Sequence, residues 1–453
     1  MITEVVGRES VEFTGERVAG APLTWGQQSI WHSTRWLEDG DPYFNLPWVL
    51  PVHGRRDLST VLSALGALLD RHESLRTTWE DTPQGPVQRV AGHGELRVEV
   101  VEAAGVKPRE AAATVAAELA ATGFDYAREL PLRCAVVCDS DGRPGALAFA
   151  LTHFAVDGWA LDLLAAEWRA LLTGRPLPAP LWHPLDQAAF EQGEGAARGA
   201  RSLRYWREAM DRAPATLFGE RKEEPERPRF VKVGMESAAL AAAAEILAAR
   251  WAVSTTSVLV AATAVLLGEM TGQRDIALQF IVGNRHDPRM RAMVGTAVQD
   301  GLFVVAIPDG HVADAARAAH ASAMAAYRHA HYDPGEQRAL RDAPGRPDLS
   351  AYFNDVRSFP GWPNRPRGHP AELTGRTRTF HAGAWDEVDA SFFLSTGPAT
   401  DTCQLYLLTD TARLSRAAAE AMLRAIETLL VTSVTRDVPL AGIGGLGIYE
   451  ETR

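Results

Sequence analysis

The sequence predicts a mixed α/β protein whose elements divide into two lobes. Short apolar runs bounded by Gly and Pro alternate with longer runs of helical spacing, and this alternation is typical of α/β folds. The run 146–151 predicts a buried strand, and apolar residues recur at helical spacing directly after it, from Trp159 to Leu172. A chain of 453 residues is long for a single hydrophobic core, so we expect two lobes.

Local signals in the first half predict helices and the strands of one sheet. A helix is expected over 24–38, and Asp57 is expected to cap a second helix whose apolar face runs from Leu58 to Leu69. Besides the strand at 146–151, three further strands are expected in this half: 87–90, 96–101 and 133–138. The Gly- and Pro-rich run 173–180 cannot continue a helix and indicates a connector.

The second half shows the same alternation of helix and strand patterns. Alanine- and leucine-rich helical patterns are present at 237–251, 256–269 and 415–431. Strands are expected at 276–282, 351–354 and 404–408. The charged, proline-broken runs 219–229 and 359–378 indicate loops. The chain therefore carries a second set of α/β elements.

Composition and charge exclude several function classes. The net charge of −11 argues against nucleic acid as a partner, because phosphate binding needs clustered Lys and Arg. No apolar run reaches the roughly 20 residues that span a bilayer, and the first residues lack a secretory signal. The three cysteines cannot all pair and lack zinc-site spacing. We expect a cytoplasmic monomer without metal, membrane or nucleic acid.

Thr152–Gly158 is the segment with the clearest chemical content. It places His153, and then Asp157, where a buried strand turns into a helix. A histidine there can act as a base, or it can be a hydrogen-bonded core residue. If the helix begins near Gly158, its positive end disfavours an imidazolium, and the neutral ring is the form that a base requires.

The segment resembles the HHxxxDG signature of condensation domains from nonribosomal peptide synthetases, within the chloramphenicol acetyltransferase-like superfamily. Thr152 stands in place of the first histidine of that signature. Other segments resemble further motifs of the family in the same order along the chain: 23–31, 71–77, 282–285 with 294–295, and Phe353–Asn354. The resemblance runs from Pro22 to the C-terminal helix and so covers almost the whole chain.

The resemblance implies two chloramphenicol acetyltransferase-like lobes that form a V-shaped pseudo-dimer, with the active site in a tunnel between them. The expected division has an N-terminal extension over 1–20 and an N-terminal lobe over 21–175. A connector follows over 176–230, and a C-terminal lobe fills 231–453.

The resemblance also implies roles for the motif residues. His153 accepts the proton of the acceptor or orients its lone pair. Asp157 pairs with Arg285 and supports the loop structurally, and Gly158 lies where pantetheine enters. Because successive strand side chains point to opposite faces, Thr152 need not disturb His153, although the same substitution also occurs in degenerate, non-catalytic relatives.

Four further residues are candidates for the tunnel or for substrate contact: Thr24, Trp159, Asn354 and Ser391. For Asn354, a buried structural role is the alternative. No metal ligand is expected.

Acyl transfer from a thioester needs an aligned nucleophile, a group that handles its proton, and stabilisation of the oxyanion. A covalent enzyme intermediate is not needed, which agrees with the lack of a Gly-x-Ser-x-Gly elbow. The resemblance implies a stand-alone condensation enzyme of natural-product biosynthesis that binds no cofactor itself. Its donor would be carried on the phosphopantetheine of a carrier protein in trans, and its acceptor would be the amine or hydroxyl of a small molecule, aminoacyl group or peptide. A non-catalytic recruitment platform and an acyl-coenzyme A-dependent acyltransferase remain alternatives.

Overall fold

A computed structural model of the chain describes residues 3–34, 37–38, 40–219, 224–357, 362–364 and 368–446. The strands are β1 Thr3–Thr14, β2 Ala19–Pro22, β3 Asn45–Pro51, β4 Thr77–Glu80, β5 Val87–Val90, β6 His93–Ala103, β7 Leu132–Cys138, β8 Pro144–Thr152, β9 Phe230–Ser237, β10 Asp275–Val282, β11 Gln299–Ala306, β12 Ala351–Asp355, β13 Arg378–Trp385, β14 Phe392–Thr396 and β15 Cys403–Asp410. The α-helices are α1 Trp25–Thr34, α2 Leu58–Arg71, α3 Pro108–Ala120, α4 Gly158–Leu172, α5 Pro184–Gln192, α6 Ala196–Met210, α7 Ala238–Trp251, α8 Thr255–Thr271, α9 Pro288–Ala292, α10 Val312–Arg328, α11 Pro334–Arg341, α12 Pro370–Leu373 and α13 Arg416–Thr435. Short 3₁₀ helices cover Glu73–Arg76, Thr374–Arg376 and Ile443–Leu446.

Residue contacts divide the chain into two units, each with its own core. The first unit comprises residues up to Ala197 together with the segment Gly283–Gln299, and the second comprises Arg198–Val282 and the chain from Asp300 onward. The boundaries expected from the sequence, at residues 175 and 230, remain a prediction about the lobes. The contact units differ from them because segment 283–299 joins the first unit, and the expected connector contains helices α5 and α6.

The first unit is a five-stranded sheet with helices on both faces. The strand order is β1-β6-β7-β8-β3, with β6 and β7 parallel and the other pairs antiparallel. Strand β8 shows why the helices divide as they do. Its residues Ala146 and Ala148 pack with α3, while Leu147, Phe149 and Leu151 pack with α2 and α4. Small side chains on one face and large ones on the other therefore accommodate helices on both sides.

The expected N-terminal extension over residues 1–20 stays a prediction about the domain boundaries, but most of the part of it that the structure describes belongs to the first sheet. Residues 3–14 form β1, which pairs with β6 along its whole length. Val11 and Phe13 are 5% and 3% exposed, so alternate side chains of this strand enter the core. Strand β2 follows and belongs to a small antiparallel sheet of order β2-β5-β4.

The second unit is a seven-stranded sheet of order β11-β10-β12-β14-β15-β9-β13. Strands β10, β12 and β14 are mutually parallel, and the pairs from β14 to β13 are antiparallel. Phe280, Phe303 and Phe353 point from one face into a core that helices α7, α8, α10 and α13 complete. The predicted strands 276–282, 351–354 and 404–408 all lie in this sheet. The loop expected over 359–378 lies partly outside the described residues, and its described part contains α12.

Among the described residues, we find no individual helix with the length and hydropathy of a membrane span. Helices α7 and α8 meet these criteria only as a pair, and the pair is bent by 101°.

Candidate functional site

His153 lies in the loop between β8 and α4. Its backbone N–H donates to the carbonyl oxygen of Phe44 over 2.9 Å, and the Phe44 ring meets the imidazole edge-to-face at 6.4 Å between centroids. Nδ1 of His153 lies 3.5 Å from Oγ1 of the buried Thr296. The side chain is half-buried. The ring is thus held between protein groups while part of it stays accessible.

Burial lowers the pKa of His153 below its ordinary value of 6.5. Two effects act in the opposite direction: hydrogen bonding to the backbone of His153 and Val156, and the negative charge of Asp157. Together they are too small to reverse the lowering of the His153 pKa. The N-terminus of α4, at Gly158, carries partial positive charge and also disfavours a second ring proton. His153 is therefore a neutral imidazole at neutral pH, which is the form that accepts a proton.

Asp157 and Arg285 form a buried ion pair. Nη2 of Arg285 lies 2.7 Å from each carboxylate oxygen, and the two residues are 1% and 8% exposed. The carboxylate also caps α4 by accepting from the Ala160 N–H over 2.9 Å, and it accepts from the Ala297 N–H over 3.0 Å. These contacts direct Asp157 toward the helix N-terminus and the loop that carries Arg285, which differs from the geometry of a catalytic triad.

Arg285 organises the loop of residues 285–297, which we call the Arg285 loop. Its Nη1 donates to the carbonyl oxygens of Met290 and Met293, and its Nη2 donates to that of Gly295 over 2.6 Å. Because Thr296 follows directly, the same guanidinium that holds Asp157 also fixes the hydroxyl beside the His153 ring.

The motif at residues 71–77 also contacts the loop that carries His153 and the helix α4 that follows this loop. Oγ of Ser74 donates to the carbonyl oxygen of Ala155. Arg71 Nε and His72 Nε2 lie 3.0 and 2.8 Å from Glu167 on α4. Burial alone would raise the pKa of Glu167, but the hydrogen bonds from His72 and Arg71 lower it to about 2. This contact therefore stabilises the fold above the ordinary pKa of 4.5, and the stabilisation is lost as the pH falls toward 2.

Thr152 fills a packed position at the end of β8, where it pairs with Asn45 on β3. The residue is fully buried. Its hydroxyl accepts weakly from the Phe154 N–H at 3.4 Å. Thr152 is therefore held by packing and by this local contact, and its effect on catalysis at His153 stays a prediction.

Two further candidates of the first unit have structural contacts. Trp159 is 44% exposed, but its Nε1 donates to the Arg291 carbonyl oxygen over 3.0 Å and so joins α4 to the Arg285 loop. Thr24 is 1% exposed, and it exchanges two hydrogen bonds with Gln27 at the start of α1. This reciprocal pattern is a helix cap. The structure therefore gives Thr24 a capping role, and its place in the tunnel or in substrate contact stays a prediction.

Asn354 and Ser391 belong to the second unit. Asn354 is half-buried on β12, and strand register places it in one row with Ser395 and Tyr406 on the face opposite the aromatic core. Ser391 precedes β14, and its Oγ lies 2.6 Å from Oγ of Ser350. Asn354 thus lies on a half-buried face, and Ser391 joins two loops, and the contact of either residue with substrate stays a prediction.

The described residues contain no group of three His, Cys, Asp or Glu side chains that could hold a metal ion. The three cysteines are buried, and burial raises the pKa of Cys138 to about 11 and those of Cys134 and Cys403 further. A thiolate nucleophile is therefore disfavoured. The chemistry that the first unit supports centres on His153.

The family model for the condensation domain matches residues 19–354, which is well over half of the chain. The chain belongs to the condensation-domain family. This condensation domain is 27% identical over 335 residues to the isonitrile lipopeptide synthase of Mycobacterium tuberculosis, covering 69% of this chain and 13% of that protein. It is 26% identical over 322 residues to the nonribosomal peptide synthetase kk1B of Curvularia clavata, covering 66% of this chain and 2% of that protein. The chain thus spans a small fraction of the curated relatives it matches, and its family is one of nonribosomal peptide biosynthesis.

Solved structures show the same fold at lower sequence identity. The condensation domain of the monacolin K polyketide synthase MokA superposes with a TM-score of 0.74 at 16% identity, covering 94% of this chain and all of that one. The SgcC5 protein of Streptomyces globisporus superposes with a TM-score of 0.68 at 19% identity, covering 92% of this chain and all of that one. The fold class predicted from the sequence is therefore confirmed.

Gly26 is a residue of the condensation domain whose role was not predicted. A Cβ at this position on α1 would lie 2.6 Å from the Thr296 carbonyl oxygen and 2.9 Å from Cα of Ala297. Only glycine allows α1 to approach the Arg285 loop this closely. Although Gly26 belongs to the motif at residues 23–31, its partner lies 270 residues further along the chain, and nothing local in the sequence indicates it.

Gly26→Ala is expected to displace Thr296 and the Arg285 loop, because the groups in contact are backbone atoms. We expect a loss of about 1–3 kcal/mol in the free energy of unfolding and a loss of about 10- to 100-fold in kcat. Denaturant unfolding and the rate of product formation measure these effects. Gly219→Ala is the matched control, since a Cβ there meets no atom within 4 Å. Equal behaviour of the two variants would contradict the role given to Gly26.

Proposed function

We propose that this condensation domain transfers an acyl, aminoacyl or peptidyl group from a carrier-protein thioester to an amine or hydroxyl acceptor. The observation that carries the proposal is the neutral, half-buried His153, held beside the N-terminus of α4 by the Asp157–Arg285 pair. A base of this kind, on a loop fixed from two sides, meets the positioning requirement for proton transfer.

In the proposed reaction, the acceptor nitrogen or oxygen attacks the thioester carbonyl carbon. His153 takes the proton that the nucleophile loses, or orients the nucleophile by accepting that hydrogen bond. When the tetrahedral intermediate collapses, the carbon–sulfur bond breaks, and the proton passes to the departing pantetheine thiolate. The products are an amide or ester and a free carrier thiol. The phosphopantetheine belongs to the carrier protein, and no step uses a cofactor bound by this domain.

The test follows product mass with a loaded carrier protein and candidate acceptors, comparing wild type with His153→Ala. We expect product only with wild type. Product formed equally by His153→Ala would contradict the proposed role of the base. Carrier binding that is unchanged in both proteins, without product from either, would favour a recruitment platform. Faster turnover with acyl-coenzyme A than with acyl-carrier donors would favour the coenzyme A-dependent alternative.

Gly158 provides a separate test of how the donor reaches His153. This residue is exposed, and an added Cβ would meet no atom within 4 Å. We expect Gly158→Leu to leave the melting temperature within about 2 °C of wild type, since a surface change of this kind costs under about 0.5 kcal/mol. If the pantetheine passes this position, the rate with carrier-bound donors falls by about 10-fold or more. An unchanged rate would show that Gly158 has no role in donor access and belongs to an ordinary turn between strand and helix.

A further inference from the structure

Two groups of arginines in this acidic chain differ in the contacts that their charges make. In the Arg285 loop, Arg285 is buried against Asp157, and Arg289 pairs with Asp287 at 2.7 Å while its guanidinium also stacks on Trp182. These positive charges are paired with carboxylates or aromatic rings of the same chain. They leave little charge for a partner.

The second group lies on α6 and beside the end of α10, within the second contact unit. Arg201 and Arg328 are exposed and Arg198 is half-buried, and within the described part of the chain none of them has a hydrogen bond or ion pair to a side chain. His329 directly follows α10, and its ring stacks on Tyr205 of α6 at 4.7 Å between centroids with an interplanar angle of 17°. We call these five residues the basic patch.

The three arginines of the basic patch all act on the His329 side chain. The pKa of His329 is lowered from its ordinary value first by burial, and then by Arg328, Arg198 and Arg201, whose combined effect Glu208 only partly offsets. Three guanidinium groups are therefore close enough to act on one imidazole. The stacked Tyr205–His329 pair joins the two helices and fixes the spacing between the charges.

Like charges held together repel, and Glu208 offsets these charges only in part, so the repulsion is relieved when an anionic surface covers them. The chain as a whole is acidic, with a net charge of −11, so an acidic partner can approach productively only where positive charge is exposed locally. Carrier proteins are usually acidic, and phosphopantetheine adds one more anionic group. We propose that the basic patch is the docking surface for the acidic face of a carrier protein. This inference rests on the proposed function, since it names the surface that presents the thioester.

The experiment measures binding and turnover separately. Wild type and Arg201→Glu/Arg328→Glu are titrated with a panel of acidic carrier domains in apo form, at about 50 and 200 mM salt. Turnover is measured with an acylated carrier and with the same acyl group on N-acetylcysteamine, which has no protein to dock. We expect the variant to weaken carrier binding and raise the KM for the acylated carrier by about 10-fold or more, with the larger effect at low salt. We expect its kcat with the N-acetylcysteamine thioester to stay within about 2-fold of wild type.

Arg55→Glu/Arg109→Glu is the matched control, because it reverses two exposed arginines on the first contact unit and changes the net charge equally. An equal loss of carrier binding in the control, or salt-insensitive binding, would overturn the docking surface. The docking surface would also be overturned if wild type bound none of the carriers, or if it bound holo carriers and no apo carrier. Tighter binding of a short single-stranded DNA than of carrier, lost in the patch variant, would also overturn it in favour of a nucleic-acid site. If wild type turns over neither donor, the proposed function fails, whereas the loss of carrier binding alone leaves it intact.

Discussion

Replacing His153 with alanine is expected to lower kcat by about 100- to 10,000-fold while leaving the fold intact. The loss reflects removal of the group that accepts or orients the proton of the acceptor. Because the ring is half-buried, with a long 3.5 Å polar contact to Thr296 and an edge-to-face contact with Phe44, we expect the free energy of unfolding to change by no more than about 1 kcal/mol. Product formation and denaturant unfolding, measured on the same preparation, check both parts.

The pH dependence of the wild-type rate provides a second readout of the same residue. The pKa of His153 is lowered, so the neutral base persists below pH 6.5, and the rate should fall only as the pH drops through a lower value. The same pKa shift makes folding stability depend on pH in the same direction. Because the His153 ring takes up a proton more readily in the unfolded chain than in the folded one, its contribution to stability declines as the pH falls below 6.5. The acid limb of the rate should be absent from the residual activity of His153→Ala and present in His93→Ala, whose side chain is exposed. A rate that stays flat through this range in wild type would contradict a role in proton transfer.

Asp157→Ala is expected to lower the free energy of unfolding by about 3–5 kcal/mol and to abolish activity with it. The change leaves the buried Arg285 guanidinium without its counter-charge and removes the cap of α4. Asp157→Asn separates the two effects, because an asparagine still caps a helix while the charge is lost. We therefore expect Asp157→Asn to be destabilised less than Asp157→Ala.

A double-mutant cycle with Arg285→Ala tests the pairing itself. The two single changes should be strongly non-additive, since each removes the same ion pair. The exposed pair Arg338–Asp342, at 3.4 Å, is the control, and breaking it should cost no more than about 0.5 kcal/mol. Wild-type melting of Asp157→Ala, or additive effects in the cycle, would contradict the supporting role of the pair.

Much of the fold was predictable because its elements carry local signals. Strand 146–151 and the helix after it were indicated by apolar spacing, and Asp57 caps α2 through the Thr60 N–H as expected. The pairing of Asp157 with Arg285 could be expected only through resemblance to a family, since 128 residues separate the two. No periodicity in the sequence connects them.

The features that were not predicted depend on contacts between distant segments. Strand β1 was not predicted, and only Val11 and Phe13 of its alternating pattern are deeply buried. The contact of Ser74 with Ala155 and the approach of Gly26 to Thr296 involve backbone atoms, which carry no residue-specific signal. The capping role of Thr24 was not predicted, although its Gln27 partner, three residues later, is the local signal for it.

The assignment of segment 283–299 to the first contact unit has a consequence for biosynthesis. On the ribosome, Asp157 emerges 128 residues before Arg285, and at a typical elongation rate of about 5–20 residues per second this delay lasts several seconds. During that time the loop of His153 lacks both its counter-charge and its neighbour Thr296. The first unit therefore cannot mature before segment 283–299 has itself been made, and the His153 site is completed more than 128 residues after Asp157 has been made.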